Sequence, residues 1–118
     1  MANRLAGITI DCADPARLAS FWSALLDIAV TGEHGDDAGW ATVGSRLDHQ
    51  PRLTFQRVPE PRTAKVRIHL DIQVGPGQVE AEAARLTDLG ATFLHRGEQG
   101  PHGWITLADP EGNEFCVT

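Results

Sequence analysis

The segment RIHLDIQV, residues 67–74, sets His69 and Asp71 two positions apart, and the closing segment EFCV, residues 114–117, does the same with Glu114 and Cys116. Side chains of a strand alternate between faces, so the members of each pair share one. An imidazole on such a face can act as a general base, ligate a metal, or hydrogen-bond a ligand, and Asp71 can orient the ring or stabilise its charge. For Cys116 the ordinary reading is a small buried thiol rather than a nucleophile. For Glu114 a pocket acid and a structural partner of a neighbouring strand are equally open. The central question is whether Glu114 and Cys116 look into a site or only edge a sheet.

The elements that must position these residues are written twice. LAGITIDCADPARLASFWSALLDIAV opens the first half and VRIHLDIQVGPGQVEAEAARLTDLGATFL the second; each reads as an alternating strand, a turn and an amphipathic helix. GWATV (39–43) then matches GWITL (103–107), and the strand LTFQRV (53–58) matches NEFCVT (113–118). The order β-α-β-β-β therefore occurs twice, as module 1 over about residues 4–58 and module 2 over about 65–118. RVPEPRTAK, with two prolines, supplies a linker near 59–64. EHGDDAG (33–39) reads as a loop.

Asp14 is a natural N-cap, with Pro15 at the first helical position. Leu18, Phe21, Trp22, Leu25 and Leu26 form one apolar stripe. The second helix is expected to begin near Pro76-Gly77, to bury Val79, Ala83 and Leu86, and to end before a left-handed Gly90. Ile8, Ile10 and Cys12, like Ile68, Leu70, Ile72 and Val74, should meet the helices. Two curved sheets with helices outside would then leave a concave inner surface. By alternation its lining includes Thr9, Asp11, Trp40, Thr42, Thr54, Gln56, His69, Asp71, Gln73, Trp104, Thr106, Glu114 and Cys116. Such a set is too polar for a core and suits a pocket for a small organic molecule. Trp40 and Trp104, at matching places, are either stacking walls for a flat ligand or symmetric packing. His102 is placed to rim the pocket.

Composition narrows the class. In 118 residues, 42% hydrophobic content suffices for a core, and the net charge of −6 with scattered basic residues argues against nucleic acid. No apolar run approaches the roughly 20 residues of a membrane span, and the N-terminus lacks the apolar stretch of a signal peptide. The expected setting is the cytoplasm, with Cys12 and Cys116 as reduced thiols.

The doubled unit, the opening DCADPARLASFWSALL, the strand RIHLDIQV and the closing DPEGNEFCV together resemble the vicinal oxygen chelate superfamily, in its glyoxalase/bleomycin resistance branch. The resemblance covers essentially the whole chain. It implies an α+β fold of two tandem βαβββ modules forming a cupped eight-stranded mixed sheet with helices outside, commonly a homodimer. It implies a small-molecule ligand, and either lyase or isomerase chemistry of glyoxalase type or sequestration of an antibiotic or metabolite without chemistry. Carried over position by position, the family's metal ligands fall on Gly7, Gln56, His69 and Cys116. Gly7 offers no side chain, so a metal would rest on His69, Cys116 and Gln56, with zinc the best match to His and Cys. On the catalytic reading His69 and Glu114 carry the reaction, with Trp40, Gln56, Asp71, Trp104 and His102 contacting the substrate.

Overall fold

Asp14 stops the first strand and starts the first helix: its Oδ1 accepts the Arg17 N–H at 3.2 Å, and Pro15 follows where a missing N–H costs nothing. The computed structural model of the chain describes residues 3–34, 39–45 and 50–118. The chain divides into two compact units, Met1–Pro61 and Arg62–Thr118.

The first unit runs β1 (Gly7–Cys12), α1 (Pro15–Leu26), β2 (Val30–His34), β3 (Trp40–Val43) and β4 (Arg52–Arg57). The second runs β5 (Leu70–Ile72), α2 (Val79–Asp88), β6 (Thr92–Gln99), β7 (His102–Ala108) and β8 (Glu114–Val117). The eight strands form two four-stranded sheets of the same topology, β1-β4-β3-β2 and β5-β8-β7-β6, each with one parallel pair and two antiparallel pairs. The repetition extends to irregularities, since β2 and β6, the strands after each helix, both carry a register shift near their start.

Each helix covers the apolar face of its own sheet. Leu18, Phe21, Trp22 and Leu25 of α1 are buried, as are Val43, Leu53 and Phe55 of its sheet, and Phe21 meets Trp22 edge to face at 5.7 Å. Leu26 of the expected stripe is half-buried. In the second unit Ala83 and Leu86 of α2 are buried, as are Ile105, Leu107, Phe115 and Val117, while Val79 is half-buried. Cys12 is buried on the apolar side, and both cysteines are free thiols. Among the described residues, no helix is long and apolar enough to cross a membrane.

Three boundaries differ from the sequence reading. The strand expected over 67–74 is a ladder of only three residues, because its partner β8 begins at Glu114, after a turn; Ile68 therefore precedes the ladder and is 71% exposed instead of meeting the helix. The second helix starts at Val79 rather than near Pro76, because Gly77 takes a positive φ of 74° and the Gln78 N–H closes a turn on the Gly75 carbonyl. Glu33 and His34, expected in a loop, extend β2; residues 35–38 of that loop lie outside the described residues. Gly90 does adopt a positive φ, as expected.

The turn before β8 is organised by Asp109, which is 3% exposed. Its Oδ1 accepts the backbone N–H groups of Glu111 (2.9 Å) and Asn113 (3.0 Å), and its carboxylate also accepts the Asn113 side-chain amide. Gly112, at φ 87°, donates its N–H to the Asp109 carbonyl. Asp109→Ala removes several hydrogen bonds at once from half-buried donors, so urea denaturation should show a loss of about 2–3 kcal/mol, against about 1 kcal/mol for removing the exposed helix cap with Asp14→Ala.

Glu80, in the first turn of α2, is paired with Arg96 of β6. The guanidinium hydrogen bonds hold the Glu80 carboxyl below its ordinary range, and the same contact raises Arg96. A lowered carboxyl favours the folded state while ionised, so this contribution is complete at neutral pH and is lost as pH falls through the depressed folded value. Titration followed by carboxyl-carbon NMR should find Glu80 below the usual glutamate range, returning to it in Arg96→Met.

Candidate functional site

The parallel register of β5 on β8 sets Leu70 beside Phe115, Asp71 beside Cys116 and Ile72 beside Val117. One step earlier, just ahead of the ladder, His69 falls beside Glu114, and its Nε2 lies 3.1 Å from Glu114 Oε2. The two groups are close enough to form an ion pair when the imidazole is protonated. Lys65 Nζ reaches the same carboxylate oxygen at 3.6 Å. The His69 side chain is 36% exposed and that of Glu114 22%, so the pair is half-sheltered yet open to a small molecule.

Across β8 the polar face continues. Cys116 Sγ lies 3.4 Å from Thr106 Oγ1, with Asp71 on its other side in the register. Asp71, Trp104, Cys116 and Thr118 line an open hollow of about 240 Å³. Glu114 and Cys116 thus do share the polar face, their neighbours Phe115 and Val117 being fully buried on the other. His102, expected at the rim, begins β7 opposite Gln99, is exposed, and is not among the residues lining the hollow.

The first unit has its own polar face. Trp40 pairs with Gln56, which pairs in turn with Asp11; Thr42 pairs with Thr54 and bonds it through the hydroxyls at 3.0 Å, and Thr54 pairs with Thr9. Comparing the two registers corrects one equivalence. The row Thr9–Thr54–Thr42 corresponds to Asp71–Cys116–Thr106, so the counterpart of Cys116 is Thr54, and that of Gln56 is Thr118. Gly7 and Arg52, which are register partners, stand where the second unit has His69 and Glu114. The space beside Gly7 is taken by the Arg52 side chain, since a Cβ on Gly7 would lie 2.9 Å from Arg52 Cγ.

Within the second unit, His69 and Cys116 are not disposed to share one ion. His69 is engaged with Glu114, whereas Cys116 lies about 7 Å further along the strand, beside Thr106. Gln56 occupies the row of Thr118, not that of Cys116. Among the described residues no three His, Cys, Asp or Glu side chains are grouped as a metal centre requires. Elemental analysis of purified protein after incubation with zinc, nickel or manganese and desalting should find well under one equivalent of metal, unchanged in His69→Ala.

The doubled βαβββ unit is that of the glyoxalase/bleomycin resistance/dioxygenase, or vicinal oxygen chelate, superfamily. The chain belongs to the glyoxalase-like domain family, whose model matches residues 7–118. Among solved structures it is similar to a glyoxalase/bleomycin resistance protein/dioxygenase family enzyme from Burkholderia phytofirmans PsJN, at 17% identity and a TM-score of 0.79, covering 98% of this chain and 97% of that one. It is similar also to the fosfomycin resistance protein FosX from Mesorhizobium loti, at 14% identity and a TM-score of 0.76, covering 99% and 91%. A FosX from Listeria monocytogenes, in a mutant form complexed with manganese(II) and a dihydroxypropylphosphonic acid, matches at 14% identity and a TM-score of 0.79, covering 99% and 90%. No curated protein matches the sequence. At these identities the structural matches establish the fold and leave the reaction to the site.

Proposed function

We propose that the protein is a glyoxalase-like lyase or isomerase that moves a proton on a small carbonyl or oxygenated metabolite, with His69 as general base. The observation that carries this reading is the 3.1 Å contact between His69 Nε2 and Glu114 Oε2 at the edge of a polar face that also holds an open hollow. Glu114, 3.1 Å from the ring, stabilises the imidazolium that forms when the imidazole takes a proton from the carbon next to the carbonyl. The electron pair left behind passes into the carbonyl as an enolate. Lys65, drawn to Glu114, brings a positive charge to the same edge and lowers the cost of that anion. In an α-hydroxycarbonyl substrate, passage of the hydroxyl proton to the enolate oxygen and return of the abstracted proton to the former carbonyl carbon complete an isomerisation; in a substrate with a leaving group on the β carbon, departure of that group as the carbonyl re-forms completes an elimination. No step is assigned to a metal. Residence in the cytoplasm and assembly as a homodimer belong to the same reading, supported by composition and family resemblance.

The test is proton exchange. Metal-stripped protein is incubated in heavy water with a panel of small hydroxyketones and hydroxyaldehydes, and loss of the carbon-bound proton is followed by NMR. The reading expects catalysed exchange on at least one compound, reduced about 10²–10⁴-fold in His69→Ala and less severely in Glu114→Gln. The second reading, sequestration of a metabolite or antibiotic without chemistry, is favoured by the presence of Trp104 in the wall of the hollow. Binding of a panel compound without exchange in the wild type, or exchange unaffected by His69→Ala, would replace the first reading with the second.

A further inference from the structure

Trp104 is held in an unusual way. Its cross-strand partner on β6 is Gly97, and the indole lies directly on that residue: a Cβ on Gly97 would sit 2.2 Å from Trp104 Cε2 and 2.3 Å from Cζ2. No side chain other than hydrogen leaves room for this. One face of the ring is thus laid against the β6 backbone, and Trp104 still lines the hollow. The first unit has only a looser, diagonal version of this contact: Gly32 pairs with Thr42, and a Cβ on it would lie 3.0 Å from Trp40 Cζ3. A pinned indole presents a flat, electron-rich face at little entropic cost.

The rest of the wall sets the sign of charge that this face can accept. Asp71 brings a carboxylate, Cys116 a thiol and Thr118 a hydroxyl, and among the described residues no Lys or Arg lines the hollow. Glu114, the next acid on β8, is occupied by His69 and Lys65. An aromatic face beside a carboxylate recognises organic cations, through the ring quadrupole and the opposite charge together. The volume of about 240 Å³ is below that of most drug-sized sites, about 300–1,000 Å³, and suits a single ring with a short substituent.

We propose that this hollow is a binding site for a planar organic cation such as an amidinium, guanidinium or protonated heterocycle, stacked on Trp104 with its charge toward Asp71. Gly97 is the positioning residue that lays the indole flat. The proposal concerns the ligand's recognised end and does not depend on proton transfer at His69.

Three isosteric probes test it: benzamidine (a cation), benzamide (neutral) and benzoate (an anion). Titrations are followed by calorimetry and by the Trp104 indole N–H resonance. The expected order is benzamidine over benzamide by about fivefold to tenfold, with benzoate weakest. Asp71→Asn should bring benzamidine to the level of benzamide. Gly97→Ala should displace the indole and weaken both ligands, and Trp104→Leu should do the same should the alanine variant fail to fold. Benzamide or benzoate binding as tightly as benzamidine, a preference that survives Asp71→Asn, or no shift of the Trp104 signal with any probe would overturn the proposal. Probe affinity and proton exchange are separate readouts, so failure of either leaves the other standing.

Discussion

The second unit depends on one buried carboxylate. Asp109 gathers the N–H groups of residues 111 and 113 and the amide of Asn113, and so fixes where the chain leaves the turn and enters β8. That entry point sets the register of β8 against both neighbours. The register puts Glu114 beside His69 and Cys116 between Asp71 and Thr106. A shift of a single residue would send Glu114 and Cys116 to the helix side and Phe115 and Val117 to the polar face. A turn in which nothing reacts therefore decides which groups are available to react.

The architecture was legible because its signals are periodic. Alternation in β1 and β8, helical spacing from Leu18 to Leu25, the Asp-Pro start of α1 and the doubled Gly-Trp pair all act over short distances. Each agrees with the fold it sits in. The strand around His69 was overestimated for a reason of the opposite kind. RIHLDIQV alternates well enough to be a strand throughout, yet a parallel edge strand extends only as far as its partner, and that partner starts at Glu114, in a distant part of the chain.

The site was legible in its members more than in its pairings. The family resemblance paired His69 with Cys116 as metal ligands and with Glu114 as catalytic partner, and Glu114 is the residue in contact. The signal that finds Glu114 is the strand register, which also aligns Gln56 with Thr118 rather than with Cys116. Such offsets of two residues keep a side chain on the correct face, so alternation cannot detect them. The contact between Gly97 and Trp104 was hidden for a different reason: the sequence shows the tryptophan and the glycine seven residues apart, but only the antiparallel pairing puts one on the other.

The pair Gly7 and Arg52 has a consequence of its own. A chain made of two copies of one unit holds two versions of every position, and here the versions have diverged to opposite character. One copy has an imidazole and an acid; the other has a glycine at the first place and an arginine at the second, folded over the gap. At this matched position the two halves of the chain thus offer opposite charge and different room beside the sheet.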